Sequence, residues 1–222
     1  MIRVEKVSKT YREGKKNTRV LHKIDMEVQK GEFALLQGVS GSGKSTLLAL
    51  IAGFEKPSSG AVYIADDPIS KLPDLHQSRL RNAHIGFVFQ AYELFEDMRV
   101  YDNVFVPTVV YPGSYVQGQK RIADAMQKAG IDHKAKEFVK NLSGGEKQRC
   151  AIARALVNDP EIIICDEPTA NLDHANSLAL LQLLQTLKAR GKTILVATHD
   201  PLFGEFAAVD SIFAMDSGRL TR

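Results

Sequence analysis

Gly38-Val39-Ser40-Gly41-Ser42-Gly43-Lys44-Ser45, followed by Thr46, matches the pattern G-x-x-x-x-G-K-[ST] at every fixed position. Its glycines let a backbone wrap a chain of phosphates and turn its N–H groups inward. A short apolar run at 33–37 precedes the loop and a helical pattern at 44–52 follows it, so the positive end of a helix falls at the same spot. Lys44 is placed to reach β- and γ-phosphates, and the Ser45 hydroxyl to ligate Mg²⁺. A Gly-rich turn of no function would not need the strand before it and the helix after it. Gly38, Ser40, Gly41, Ser42, Gly43, Lys44, Ser45 and Thr46 are therefore candidate nucleotide-binding residues.

Phosphoryl transfer also needs a carboxylate near the metal shell and a group that positions the attacking water. Ile162-Ile163-Ile164-Cys165-Asp166-Glu167 is an apolar strand ending in two carboxylates. Asp166, at the strand end, suits the metal. Glu167, one step beyond, suits the water, as general base or orienting acceptor. Alone, an Asp-Glu pair is most often a solvated turn; paired with the phosphate loop it points to hydrolysis. In a third stretch, Leu142-Ser143-Gly144-Gly145-Glu146-Lys147-Gln148-Arg149, a serine and two glycines stand at the start of a helix. That is a second helix end able to meet an anion. It also reads as an ordinary N-capped surface helix, with Ser143 as the cap.

These residues must be held by a scaffold that the pattern describes. Residues 2–7, 21–28, 33–37, 62–64, 85–89, 162–165, 193–197 and 212–215 read as strands, and 44–52, 116–129, 144–157 and 176–189 as helices. Such alternation argues for an α/β fold, a mostly parallel sheet covered on both faces. Residues 91–141 look mainly helical, with a loop at Pro112-Gly113-Ser114. The chain has 222 residues, 44% of them hydrophobic, and a net charge of +3, which is too mild to imply nucleic acid. No apolar run approaches the roughly 20 residues that span a bilayer, and the charged start Met1-Ile2-Arg3-Val4-Glu5-Lys6 is unlike a signal peptide. Cys150 and Cys165 lie in apolar segments without ligand spacing and read as reduced core residues.

The stretch 142–149 resembles the signature motif of ABC ATPases, and the resemblance covers nearly the whole chain, from Tyr11 to Gly218. It implies a P-loop NTPase fold with N-terminal antiparallel strands, a single domain over 1–222 in which 1–90 and 156–222 form the sheet-containing core and 91–155 a helical subdomain. It implies ATP and Mg²⁺ as cofactors and a head-to-tail dimer, in which Ser143, Gly144 and Gly145 of one copy cover the γ-phosphate held by the other. By the same resemblance Tyr11 stacks on adenine, Gln90 touches Mg²⁺ and water, Asn171-Leu172-Asp173 crosses the dimer interface, and His199 contacts the γ-phosphate. Ala170 stands where many relatives have glycine. The chain closes after its last strand, without the regulatory domain that some importer ATPases carry.

Within that family, Ile85-Gly86-Phe87-Val88-Phe89-Gln90, Tyr101-Asp102-Asn103-Val104 and Thr198-His199-Asp200-Pro201 are similar to the ATPases of lipoprotein release, macrolide efflux and cell division. The insertion Glu13-Gly14-Lys15-Lys16-Asn17 leans toward the first two, and Tyr101-Asp102-Asn103-Val104 toward the third. The resemblance implies an integral-membrane permease subunit as partner and a peripheral place on the cytoplasmic face of the inner (cell) membrane. The coupling surface is expected near Gln90 and 91–104, where Tyr92, Leu94, Phe95, Met98 and Val100 cluster. Importer ATPases are an alternative, as are ABC ATPases acting on DNA or ribosomes. The insertion is too short for the coiled coils of the DNA class, and the ribosomal class usually fuses two ATPase domains where this chain has one.

Overall fold

The computed structural model describes residues 1–14, 16–110 and 115–221. Lys15 and the expected loop Pro112-Gly113-Ser114 lie outside the described residues. Nine strands form two sheets among the described residues. In the first, β1 (Ile2–Glu13) pairs antiparallel with both β2 (Lys16–Val28) and β4 (Ser59–Ile64). Ile24, Met26 and Val28 alternate with exposed Asp25 and Glu27, which fixes one buried face. The second sheet has the order β5-β6-β7-β3-β8-β9. Here β3 (Phe33–Gln37), β5 (Ile85–Val88), β6 (Ile162–Asp166), β7 (Thr193–Thr198) and β8 (Ser211–Asp216) run parallel, and β9 (Arg219–Thr221) turns back on β8.

The central strands are apolar without alternation because both of their faces are covered. Phe33 and Leu35 of β3, Ile163 and Cys165 of β6, and Ile194 and Val196 of β7 point into one core. That core is filled by α3 (Val100–Phe105), α4 (Tyr115–Ala129), α5 (Gly144–Leu156) and α6 (His174–Ala189). Ala34 and Leu36, Ile162 and Ile164, and Leu195 and Ala197 point into the other, filled by α1 (Lys44–Ile51) and the first sheet. Deleting one buried Leu or Ile side chain costs about 2–5 kcal/mol. A one-residue slip would misplace both sets at once, so register is strongly held.

Three local differences from the sequence reading have physical causes. Helix α2 (Asp74–His84) was not expected; it buries only Gln77, so no apolar stripe announces it. Residues 91–99 are irregular, not helical: the backbone turns through positive φ at Tyr92 (62°) and Glu93 (49°). Strand β2 begins at Lys16, not at residue 21, because its exposed start carries no apolar signal and is held by cross-strand pairing to β1. Cys150 and Cys165 are free and buried, and burial pushes both thiols up to about 12.

Candidate functional site

Strand β3 delivers the chain to Gly38, and α1 carries it away from Lys44. Gly43, which precedes the helix, has φ 106° and offers no side-chain cap, so the first N–H groups of α1 stay open. Ser40, Gly41, Gly43, Lys44, Ser45, Thr46, Gln90, Glu167 and His199 surround one cavity of about 330 Å³, completed by Val20. All of these except Val20 are candidates by sequence alone. Gly38 and Ser42 belong to the loop but do not line the cavity; a Cβ at Gly38 would sit 2.2 Å from the Met215 carbonyl oxygen. The Lys44 ammonium donates to the carbonyls of Gly38 (2.7 Å) and Val39 (3.3 Å) and pairs with Glu167 at 3.2 Å.

The two carboxylates sit where β6 ends. The backbone N–H of Glu167 donates to Ala197 at the end of β7 (2.8 Å), and its φ is 44°. That turn separates the neighbours electrostatically. Burial pushes the Asp166 carboxyl up; a hydrogen bond from Ser45 opposes this and the charge of Glu167 adds to it, leaving it above the usual range. Among the described residues, nothing hydrogen-bonds to its buried Oδ1. Burial would also raise Glu167, but hydrogen bonds to His199 and Lys44, and their charges, outweigh it and hold the group below the usual range. His199 Nδ1 lies 3.0 Å from that carboxylate, and its ring is largely exposed. A buried Lys–Glu pair gains Coulomb energy against a heavy desolvation cost.

Ser143, Gly144, Gly145, Tyr11 and Asp173 do not line this cavity. Ser143 caps α5 in a reciprocal box: its N–H and hydroxyl both donate to Glu146 (2.8 and 2.9 Å), and its oxygen accepts from the Glu146 N–H. The glycine pair has a packing reason as well. A Cβ at Gly145 would meet the Asn176 side chain at 3.0 Å, and one at Gly144 the Asn171 carbonyl oxygen at 3.3 Å. Asp173 caps α6 by accepting from the Asn176 N–H at 2.8 Å. Tyr11 donates its hydroxyl to Glu55 (2.8 Å), with the Lys9 ammonium over its ring. The sequence assigns no role in the site to two supporting residues. Thr169 donates to Asp200 (2.7 Å), tying the loop after Glu167 to the one after His199. Only their nearness in space reveals them.

Comparison with known proteins agrees with this arrangement. The ABC transporter family profile matches residues 21–170. The chain is 44% identical over 200 residues to the cell division ATP-binding protein FtsE of Escherichia coli (strain K12), covering 90% of this chain and 88% of that one. It is 38% identical over 222 residues to the lipoprotein-releasing system ATP-binding protein LolD of Coxiella burnetii, covering 99% and 94%. Its fold superposes on the dimeric structure of MJ0796, a bacterial ABC transporter cassette, with a TM-score of 0.92, 36% identity, and coverage of 100% and 97%. A post-hydrolysis dimer of the same cassette bound to ADP and Pi gives 0.91 and 35%, with the same coverage. The phosphate loop, the paired carboxylates and these likenesses lead to one conclusion: the chain belongs to the ABC transporter family, among its ATP-hydrolysing cassettes.

Proposed function

We propose that two copies of this chain close head to tail on two ATP molecules and drive an integral-membrane permease. The observation that carries the dimer is the separation of two glycine-bearing helix starts: the start of α1 lines the cavity, and Ser143, Gly144 and Gly145 do not. A second copy can bring its α5 end to the first copy's γ-phosphate. In this reading Lys44 exchanges the carbonyls of Gly38 and Val39 for β- and γ-phosphate oxygens, which are the stronger acceptors. That withdrawal frees Glu167 to take a proton from water, while His199 and the partner's Ser143 stabilise the charge on the γ-phosphate. Gln90 orients the water, and Tyr11 and Asp173 complete the nucleotide's surroundings from outside the cavity wall.

Mg²⁺ fits the residues present. The unpartnered, buried Asp166 Oδ1 is an acceptor waiting for a cation, and Ser45 and Gln90 add the hard oxygen donors this ion prefers. When bound, it would neutralise charge on the phosphates. Lys44→Ala should raise the Kd for ATP at least about tenfold and abolish hydrolysis, as read by calorimetry and phosphate release. Unchanged ATP affinity would remove the loop from the site.

The permease reading rests on a groove. No helix among the described residues is long and apolar enough to cross a membrane, so the complex needs a partner that does. A cavity of about 250 Å³ lies between β5 and α5, lined by Phe54, Arg81, Phe87, Pro107, Val110 and Asn158. Phe54 is 42% exposed and Val110 71%, and contiguous exposed apolar surface marks interaction sites. This moves the expected surface. Val100 is fully buried and Tyr92 and Leu94 pack against the core, while Phe95 remains exposed. The relatives' names speak of cell division and lipoprotein release, and the same reading places this chain on the cytoplasmic face of the membrane, held by its partner. Val110→Glu should release it from the membrane fraction with basal ATPase retained. Undiminished membrane association would put the docking surface elsewhere.

A further inference from the structure

The phosphate loop is not self-supporting. Strands β8 and β9 are joined by Ser217-Gly218, a two-residue turn in which Asp216 pairs with Arg219. Both turn residues have positive φ, 46° and 73°, the geometry of a tight type I′ hairpin. Such a turn closes through its flanking residues and leaves the peptide groups of its two central residues free. Here both sides of Gly218 are used. Its N–H donates to the Ser42 carbonyl at 3.0 Å, and its own carbonyl accepts from the His22 N–H at 2.8 Å.

The bond to Ser42 has a directional consequence. The Ser42–Gly43 peptide is trans, so its C=O and N–H point to opposite sides. Tying the Ser42 oxygen to the hairpin aims the Gly43 N–H away from it, toward the cavity that Gly43 lines. We infer that Gly218 is a positioning residue for nucleotide binding, which orients the Gly43 amide toward the phosphates through Ser42. The inference rests on residues 38–45 being the phosphate cradle.

Only glycine serves at 218. A Cβ there would lie 2.1 Å from the Val20 carbonyl oxygen and 2.9 Å from the His22 ring. Both neighbours belong to β2, and the loop packs against β2 and β8 directly as well: a Cβ at Gly43 would meet Leu21 of β2 at 2.9 Å and the methyl of Met215 of β8 at 3.1 Å. The turn could admit a side chain only by backing away from β2, and its N–H would leave Ser42. Nothing in the phosphate-loop motif itself reports this dependence on a residue so distant in sequence.

Gly60 supplies a matched control. It too has positive φ (85°), and a Cβ there would meet the Glu5 carbonyl oxygen at 2.4 Å, but it lies in the first sheet and does not line the cavity. Gly218→Ala should raise the Kd for ATP about tenfold, the scale of one charge-assisted hydrogen bond, whereas Gly60→Ala should leave it within about twofold however far it lowers the melting temperature. Equal weakening by both, or no weakening by Gly218→Ala, overturns the inference. If Gly218→Ala does not fold, incorporation of glycolic acid at 218 replaces the N–H by an ester oxygen without adding a side chain. That chain should show the same loss, and normal ATP affinity in it is equally fatal. Lys44→Ala separates the two readings: if it weakens ATP binding and the position-218 variants do not, the cradle stands and the hairpin's role falls.

Discussion

Two helices of this chain have glycines at their starts, Gly43 just before α1 and Gly144-Gly145 opening α5, and they are finished differently. Helix α1 starts after Gly43 with no side-chain cap, and a buried lysine stands in its first turn. Helix α5 starts after Ser143 with a complete capping box that recruits Glu146. An uncapped end leaves its N–H groups for a ligand that must be held tightly within one chain. A capped end is already satisfied in part, at roughly 1 kcal/mol, and carries a carboxylate that discourages a free anion. The difference teaches that the two ends are not two copies of one site; in the proposed function the first holds the nucleotide and the second acts only when a bound nucleotide is presented to it.

The largest expected effect tests the step that separates them. Glu167→Gln should cut hydrolysis by about a thousandfold or more while ATP stays bound, so the closed dimer accumulates in size-exclusion chromatography with ATP and Mg²⁺. A chain that remains monomeric at saturating ATP would leave the second helix end without a task. Next in size, Ser143→Arg should lower hydrolysis by about ten- to a hundredfold at unchanged ATP affinity of the monomer. Near-normal turnover would break the head-to-tail arrangement and make Ser143 a cap and nothing else.

The smallest effect concerns stability. Asp166 is held above the usual carboxylate range, so ionising it costs the folded state at neutral pH; the group's favourable contribution is complete below the unfolded pKa and is lost as pH rises through the folded one. Asp166→Asn should therefore raise the Tm of the ligand-free protein at neutral pH, and the gain should fade as the pH falls into the carboxylate range. Glu167 has the opposite sign, its stabilisation present at neutral pH and lost on acidification. Melting curves of both proteins against pH check this; a neutral-pH Tm lowered by Asp166→Asn would contradict the cost assigned to the buried charge.

What the sequence disclosed about this site is what lies close together along the chain. The loop 38–45 is flanked by its own strand and helix, and Asp166 and Glu167 stand at the end of a run of apolar residues, so local order alone exposes them. The pairing of Glu167 with both Lys44 and His199 joins three separate segments, and no single segment carries a sign of it. The same holds for Thr169 with Asp200 and for Gly218 with Ser42. In the fold, buried strands announced themselves by apolar runs, while α2 and the outer half of β2 stayed hidden because their residues face solvent. The irregular path at 91–99 was hidden for a different reason: Tyr92 and Glu93 take a backbone conformation that their side chains do not favour.

The strands that serve two cores at once have a mechanical consequence. A plate filled on both sides at interior density resists bending, and interiors of low compressibility pass strain along without soaking it up. The loops that bear Lys44, Glu167 and His199 all leave β3, β6 and β7 at the same end of that plate. The groove between β5 and α5 lies on the same plate. In the proposed motor, such a plate would hand a displacement from the nucleotide end on toward that groove with little loss.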